Sequence, residues 1–405
     1  MSTSSDELEE LRHRLCASVD RHRPQLEEIS LNIHRTPEVA FQEHRAAAWL
    51  THALETGGFE VERRIAGLDT AFVARYRGGE GPVVALLAEY DALPGVGHGC
   101  CHNLIGTSAV GAAVALKEAV PDLPGTILVV GSPAEETGGG KAHLVEAGVF
   151  EGVRAAMMVH HGPITQAVAP LIAMQEIRVE YRGKASHASS QPQDGRNALD
   201  ALVLSYMSIA ALRQHIRKDA RVHGIITDGG TAANVVPDYA AGRFYVRAKD
   251  DEYQSALQER VLSCFRAGGE ATGTRMEYGF PSKRYSAMRN NPTMVNAFRA
   301  NLALLGIEEI PPDPNRSYGS TDMGNVSSVV PAIHPILAVA PSSTPAHSLE
   351  MAQYAGSDAG REGLARAAKL MALTVLDLLQ HPDLLETAWE EFRDGKEAAL
   401  WPASN

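Results

Sequence analysis

Four cysteines in 405 residues, Cys16, Cys100, Cys101 and Cys264, are too few to staple a chain of this length. A disulfide framework is excluded, and a reducing cytoplasm is the expected home. Positive charge is also short: 37 Lys and Arg against 49 Asp and Glu leave a formal charge of −12, and the basic residues are scattered. Neutralising a phosphate backbone needs a basic stripe, so nucleic acid is not an expected partner. No apolar run approaches the roughly 20 residues that cross a bilayer. The segment Met1 to Glu10 is polar and acidic, without the basic start and apolar stretch of a secretory signal. A cytoplasmic protein with no membrane partner is expected. The chain carries neither an internal repeat nor a low-complexity segment.

What is present is apolar residues enough, 44% of the chain, for a large core, and a length beyond one ordinary domain, so two domains are expected. Residues 6–34 and 43–57 have helical apolar spacing, the second ending at Gly57-Gly58. The runs 82–88, 125–131 and 155–159 are short, continuously apolar and bounded by turn residues, as buried parallel strands are. The small-residue stretch 103–120 suits a buried crossover helix between the first two. Near residue 172 the pattern changes to alternating, half-exposed strands at 176–182, 222–227 and 242–248, with amphipathic segments at 195–219 and 251–267 and a strand at 274–279. After Lys283 buried-strand and helix patterns resume, including 334–340 and a long Ala/Leu helix over 355–380. The reading is an α/β domain in two parts, 1–171 and 284–405, with its mostly parallel sheet, interrupted by an inserted α+β domain at 172–283.

Chemistry concentrates where the buried strands end, the place where open α/β sheets put their sites. The segment from Gly97 to Asn103 holds His98, Cys100, Cys101 and His102 directly after an acidic turn, Glu89-Tyr90-Asp91. A thiolate and an imidazole two residues apart can both reach one borderline-soft ion such as zinc. The second strand empties into Ala134-Glu135-Glu136, and adjacent carboxylates suit metal-assisted hydrolysis: one ligates, the other takes a proton from water. The Gly138-Gly139-Gly140-Lys141 tail is no phosphate loop, because Ala142 stands where Ser or Thr is needed and Glu135 where the loop's first glycine belongs. The third strand leads to His160-His161, and His347 follows a later buried strand. Four loops bearing Cys100 and His102, Glu136, His160 and His347, converging at one sheet edge, point to a metal site.

At these residues the sequence resembles the zinc-type aminoacylase/carboxypeptidase metallopeptidases, in the branch of hippurate hydrolase, auxin-conjugate amidohydrolases and aminobenzoyl-glutamate hydrolase. The resemblance runs from His34-Arg35-Thr36-Pro37-Glu38 to His347. It is carried by Glu89-Tyr90-Asp91-Ala92-Leu93-Pro94, His98-Gly99-Cys100-Cys101-His102-Asn103, Pro133-Ala134-Glu135-Glu136, Gly183-Lys184-Ala185-Ser186-His187-Ala188 and Asn234-Val235-Val236-Pro237. It implies two divalent metal ions, zinc first, with manganese, cobalt or nickel possible, bridged by Cys100 and completed by His102, Glu136, His160 and His347. It further implies Glu135 as general base and acid, and Asp91 as the carboxylate that orients a ligand. The inserted domain would be a βαββαβ lid that forms a homodimer and delivers His187 as oxyanion donor to the partner's site. Asn234 and Arg247 would hold the substrate carboxylate, for which Arg offers a planar fork. The expected substrate is a small amide: an N-acyl amino acid, an aminobenzoyl-glutamate-like conjugate or a dipeptide with a free carboxylate.

Three departures qualify the match. Cys101 replaces the usual glycine between the ligand pair, a second thiol that could compete as ligand or oxidise. Glu89 stands where relatives outside this branch carry a ligand histidine. Thr321 replaces a glutamate of many hippurate hydrolases and, with Glu89-Tyr90, favours the aminobenzoyl-glutamate and dipeptide subgroup. Two rival readings are a cysteine-nucleophile amidase using Cys100 or Cys101 with His98 or His102, which the paired glutamates disfavour, and a non-catalytic metal-dependent binding protein, which retention of Glu135 disfavours.

Overall fold

The computed structural model describes residues 5–310 and 319–398. Two compact units emerge: one takes in the chain up to Pro170 and, from Met288 on, all but Gly319–Thr321; the other is Leu171–Ala287 with Gly319–Thr321.

The first unit is built on a six-stranded sheet in the order Glu60–Arg63, Phe72–Arg77, Thr126–Ser132, Val83–Glu89, Val153–Met157, Ala332–Ile333. The last four strands run parallel, and Phe72–Arg77 is antiparallel to both its neighbours. Strands covered on both faces need apolar side chains throughout, and all seven residues of Thr126–Ser132 are buried. Helix His102–Ala119 packs against Val83–Glu89 and against helices Ser5–Arg35 and Asp358–Gln380. Its small residues permit the close approach: a Cβ on Gly106 would stand 2.5 Å from the Glu89 carbonyl oxygen. Leu86, fully buried in mid-strand, illustrates the energetics, since truncating such a leucine to alanine costs about 2–5 kcal/mol.

Register decides where the chemistry emerges. Glu89 is level with Ser132 at the ends of adjacent parallel strands, and Leu86 is level with Met157, so the segments after all three strands leave from one edge. The fourth expected strand is shorter than its apolar pattern suggested. Ala332–Ile333 joins the main sheet, while Ile336–Ala338 pairs with His160–Gly162 in a separate two-stranded sheet; Pro335, without an N–H, stands between the two pieces. The helix expected over 355–380 runs over Asp358–Gln380, and Ser357 separates it from a preceding helix, Leu349–Ala355, by accepting from the Gly360 N–H at 3.3 Å.

The second unit follows the order strand Ala173–Arg182, helix Ala198–Leu212, strands Arg221–Asp228 and Tyr239–Ala248, helix Asp251–Thr272, strand Arg275–Gly279. Its antiparallel sheet runs Arg275–Gly279, Ala173–Arg182, Tyr239–Ala248, Arg221–Asp228. Alternation does what it promised: Ile177, Val179 and Tyr181 are buried with Phe244 and Val246 under the two helices, whereas Arg178, Arg182 and Arg243 are exposed. Asn197 and Asp250 cap the helices, and Gly273, at φ +67°, ends the second in the left-handed conformation that suits glycine. No described helix is long and apolar enough to cross a membrane.

Candidate active site

Helix His102–Ala119 starts at the mouth of the sheet edge and carries its first residue, fully buried, into the site. His102 Nδ1 lies 3.0 Å from Asp91 Oδ1, and the other Asp91 oxygen accepts from the Glu136 N–H at 3.0 Å. A carboxylate at Nδ1 fixes the proton there and leaves Nε2 as the free donor atom. Nε2 is buried without a hydrogen-bond partner, as are Glu136 Oε1 and Glu89 Oε2. These oxygens stand 3.9 Å and 3.5 Å from it. Buried polar atoms without partners are costly, and an unpaired ring nitrogen facing carboxylate oxygens suits a cation.

Four sets of atoms among the described residues are close enough to hold one, His102 with Glu135 and Glu136, Glu89 with Glu135 and Asp322, and two that contain Cys100. Cys100, His102 and His160 each bring a ligand atom within 4.8 Å of the others, and so do Cys100, Glu136 and His347. These last two sets share Cys100, whose Sγ lies 3.4 Å from His160 Nε2, while His347 Nε2 lies 3.7 Å from Glu136 Oε2. Burial, with Glu136 beside it, pushes the Cys100 thiol well above its ordinary pKa, so a bound cation is what would draw off its proton. Glu135 is buried next to this cluster, and burial, followed by the charges of Glu89, Glu136 and Asp322, raises its carboxyl well above the usual range. A carboxyl placed beside the ligand atoms can take and return a proton.

Cys101 is in none of these sets. It lies at φ +62°, where glycine is the easier residue, and its side chain is buried in an apolar cluster with Leu26, Leu104, Val339 and Met351. Burial pushes its thiol up to about 12.

Lys141 was legible only as part of a failed phosphate loop. It is fully buried and ion-paired to both Glu89 and Asp322, the latter at 2.7 Å. Burial alone would raise the Glu89 carboxyl, yet Lys141 and then His102 hold it down at about 2. The only warning in the sequence was a lysine following acidic residues at a strand end. His334, whose ring lies 5.5 Å from that of His160, gave no signal beyond its place at a buried run.

The second unit holds His187, Asn234 and Arg247. Bonds from the Ala188 N–H to the Asn234 carbonyl and from the Val236 N–H to the Ser186 carbonyl, both 2.9 Å, bring His187 and Asn234 onto paired segments. The Ser189 and Ser190 N–H groups donate to His187 Nδ1 at 3.3 and 3.2 Å, leaving Nε2–H as an outward donor on an exposed ring. Arg247 lies elsewhere, half-buried over the Tyr245 ring, with Nη1 donating to Ser320 Oγ at 3.1 Å. His187 and Asn234 follow the end of the sheet marked by Arg182 and Tyr239, and Arg247 pairs with Met174 and Arg221 at the other end. Eight residue steps from Tyr239 to Arg247 span roughly 26 Å.

An α/β unit whose strand ends gather thiol, imidazole and carboxylate groups is the frame of a metal-dependent hydrolase, and comparison with known proteins gives the family. Residues 85–376 match the profile of peptidase family M20/M25/M40, and the chain belongs to that family, hydrolases of amide and peptide bonds. It is 39% identical to the Xaa-Arg dipeptidase of Mus musculus over 97% of this chain and 94% of that one. It is 30% identical to a component chain of the p-aminobenzoyl-glutamate hydrolase of Escherichia coli over 92% and 93%. Among solved structures, the aminobenzoyl-glutamate utilization protein of Klebsiella pneumoniae superposes with a TM-score of 0.75 at 21% identity, covering 90% of this chain and 98% of the other. That likeness establishes the fold.

Proposed function

We propose that this protein hydrolyses the amide bond of a dipeptide or N-acyl amino acid, releasing an amino acid with a free carboxylate, and that Cys100, His102, Glu136, His160 and His347 hold two divalent ions. The observation that carries this reading is the pair of ligand sets that share Cys100, with Glu135 buried beside them. Thiolate and imidazole together favour zinc, with manganese, cobalt and nickel as alternatives for a site that also offers a carboxylate. When bound, the ions supply polarisation of the substrate carbonyl and acidification of a water. Glu135 takes the proton of the attacking water and passes it to the departing amine. Asp91 holds His102 at Nδ1, so that Nε2 would be the atom to hold a metal ion. A dipeptide ranks first among substrates because the Xaa-Arg dipeptidase matches nearly the whole chain.

A cysteine nucleophile is favoured by the imidazoles beside Cys100, His160 Nε2 at 3.4 Å and His102, which also hydrogen-bonds the thiol. Burial works against it, raising the Cys100 thiol well above its ordinary value and lowering the His160 imidazole.

We also read the working form as a homodimer. Arg247 and the His187–Asn234 pair are separated along the sheet by far more than a dipeptide spans, so one copy cannot apply both to one substrate. Two copies can, if one gives Arg247 and its partner gives His187 and Asn234. Exposed Val203, Leu204 and Met207 on helix Ala198–Leu212 and Ile225 and Ile226 on the edge strand Arg221–Asp228 offer an apolar surface for such pairing.

The test is a substrate panel of dipeptides with and without C-terminal Arg, aminobenzoyl-glutamate and acyl-amino acids, run before and after chelation. Dipeptides should give the highest kcat/KM, and activity lost to chelator should return with zinc or manganese. Turnover that survives complete metal removal overturns the reading.

A further inference from the structure

The turn that carries Glu135 is strained and held from both sides. Ala134 lies at φ +60°, a conformation unfavourable for a residue with a Cβ, so something must keep it there. On one side the Glu136 N–H donates to Asp91 Oδ2. On the other, the Ala134 N–H donates at 3.0 Å to Oε1 of Glu43, a residue no motif singled out. Glu43 is wholly buried. The same Oε1 accepts from the Phe41 N–H at 2.8 Å, and Oε2 accepts from the Thr70 hydroxyl at 2.8 Å. Phe41 is itself at φ +63°, so a single carboxyl fixes two strained backbone positions. Thr70 is fixed in turn, its carbonyl accepting from the Tyr90 hydroxyl at 2.7 Å, and Tyr90 precedes Asp91. The two carboxyls that flank Glu135 therefore belong to one connected frame.

We infer that Glu43 is a positioning residue for the Glu135 turn: through the Ala134 N–H it sets where the Glu135 carboxyl stands, without touching substrate or metal. The inference rests on Glu135 being the general base. A misplacement of about 1 Å can cost roughly 10²-fold in rate, so a broken brace should appear in kcat. What the brace needs is an acceptor at the right reach, not a charge; burial, aided by the Asp91 charge, already pushes the Glu43 carboxyl up to about 7. Glutamine can meet the need, its carbonyl oxygen taking both N–H groups and its amide donating to Thr70 Oγ1. Aspartate keeps the charge but falls one methylene short of Ala134.

The experiment compares Glu43→Leu, Glu43→Asp and Glu43→Gln in the full, metal-loaded protein, reading kcat, KM, bound metal and thermal midpoint. Leu and Asp should lose about 10- to 100-fold in kcat with KM and metal content kept, and Gln should stay within about threefold of wild type. If Leu fails to fold, the Asp and Gln variants decide the matter alone. Asp retaining kcat while Gln loses it, or all variants matching wild type, overturns the inference. Glu135→Gln, run alongside, separates the levels: if it stays active the general-base reading itself falls, and if it is dead while Glu43→Leu is unimpaired only the role of Glu43 does.

Discussion

The two units handle their polar residues in opposite ways. In the first, Glu43, Glu89, Asp91, His102, Glu135, Lys141 and Asp322 are all less than a tenth exposed, and most are bound to one another or to the backbone. In the second, His187 and Asn234 stand in solvent on paired loop segments, held by main-chain bonds and, for the His187 ring, by the Ser189 and Ser190 N–H groups. A buried network holds its groups in place before substrate arrives, which is what proton transfer and charge stabilisation require. Exposed donors can act only once something covers them. The comparison teaches that the first unit should fail chemically when single atoms are changed, and the second should fail through assembly and binding.

The largest effect should come from the most deeply held group. Glu135→Gln should cost about 10²- to 10⁴-fold in kcat with metal retained, whereas Glu136→Gln should release metal; metal analysis beside steady-state kinetics decides, and swapped phenotypes would reverse base and ligand. Next comes His187→Ala, expected to lose about 10²- to 10³-fold as the loss of an oxyanion donor does. If the donor comes from a partner, mixing His187→Ala with Glu135→Gln subunits should regenerate activity, because one site of each heterodimer is intact. No recovery after proven exchange would make the two regions alike, each serving its own chain. Arg247→Lys should act more gently, raising KM about tenfold, since hydrogen bonds to charged groups are worth about 1.5–3 kcal/mol and an ammonium cannot match the guanidinium fork. An unchanged KM for every carboxylate substrate would remove Arg247 from the site.

The smallest effect is a pH dependence of the buried unit. Burial pushes His98 down to about 3, whereas an unfolded histidine titrates near 6.5. The folded value is the lower one, so the stability this neutral ring confers is complete above pH ~6.5 and is lost as pH falls toward about 3. Wild type should therefore lose more stability than His98→Gln over that window, by up to about 1.4 kcal/mol per pH unit. Denaturant unfolding of both proteins at several pH values measures it, and parallel curves would count against a neutral buried His98.

Much of this contrast is legible in the order of the residues. Continuous apolar runs mark the buried parallel strands and strict alternation marks the second unit's sheet, because each pattern is imposed by how many faces are covered. Cys100, His102, Glu135, Glu136, His160 and His347 stand out because their residue types cluster just past strand ends. Glu43, Lys141 and Asp322 do not, since Ala134, Glu89 and Lys141, the partners that tie them to the site, lie dozens of residues away along the chain, and no local pattern distinguishes a buried acid or lysine from a solvated one. The strands Glu60–Arg63 and Phe72–Arg77 escape notice for a related reason: their exposed arginines and glutamates break the apolar signal.

The central claim is that Cys100 joins two metal positions while its neighbour Cys101 only fills apolar space. Counting metal ions per chain in wild type, Cys100→Ser and Cys101→Gly after zinc loading and exhaustive dialysis tests it most directly. About two ions are expected in wild type and in Cys101→Gly and a loss in Cys100→Ser, as removal of a ligand shared by two ions should bring. Full retention by Cys100→Ser, or loss confined to Cys101→Gly, would contradict it.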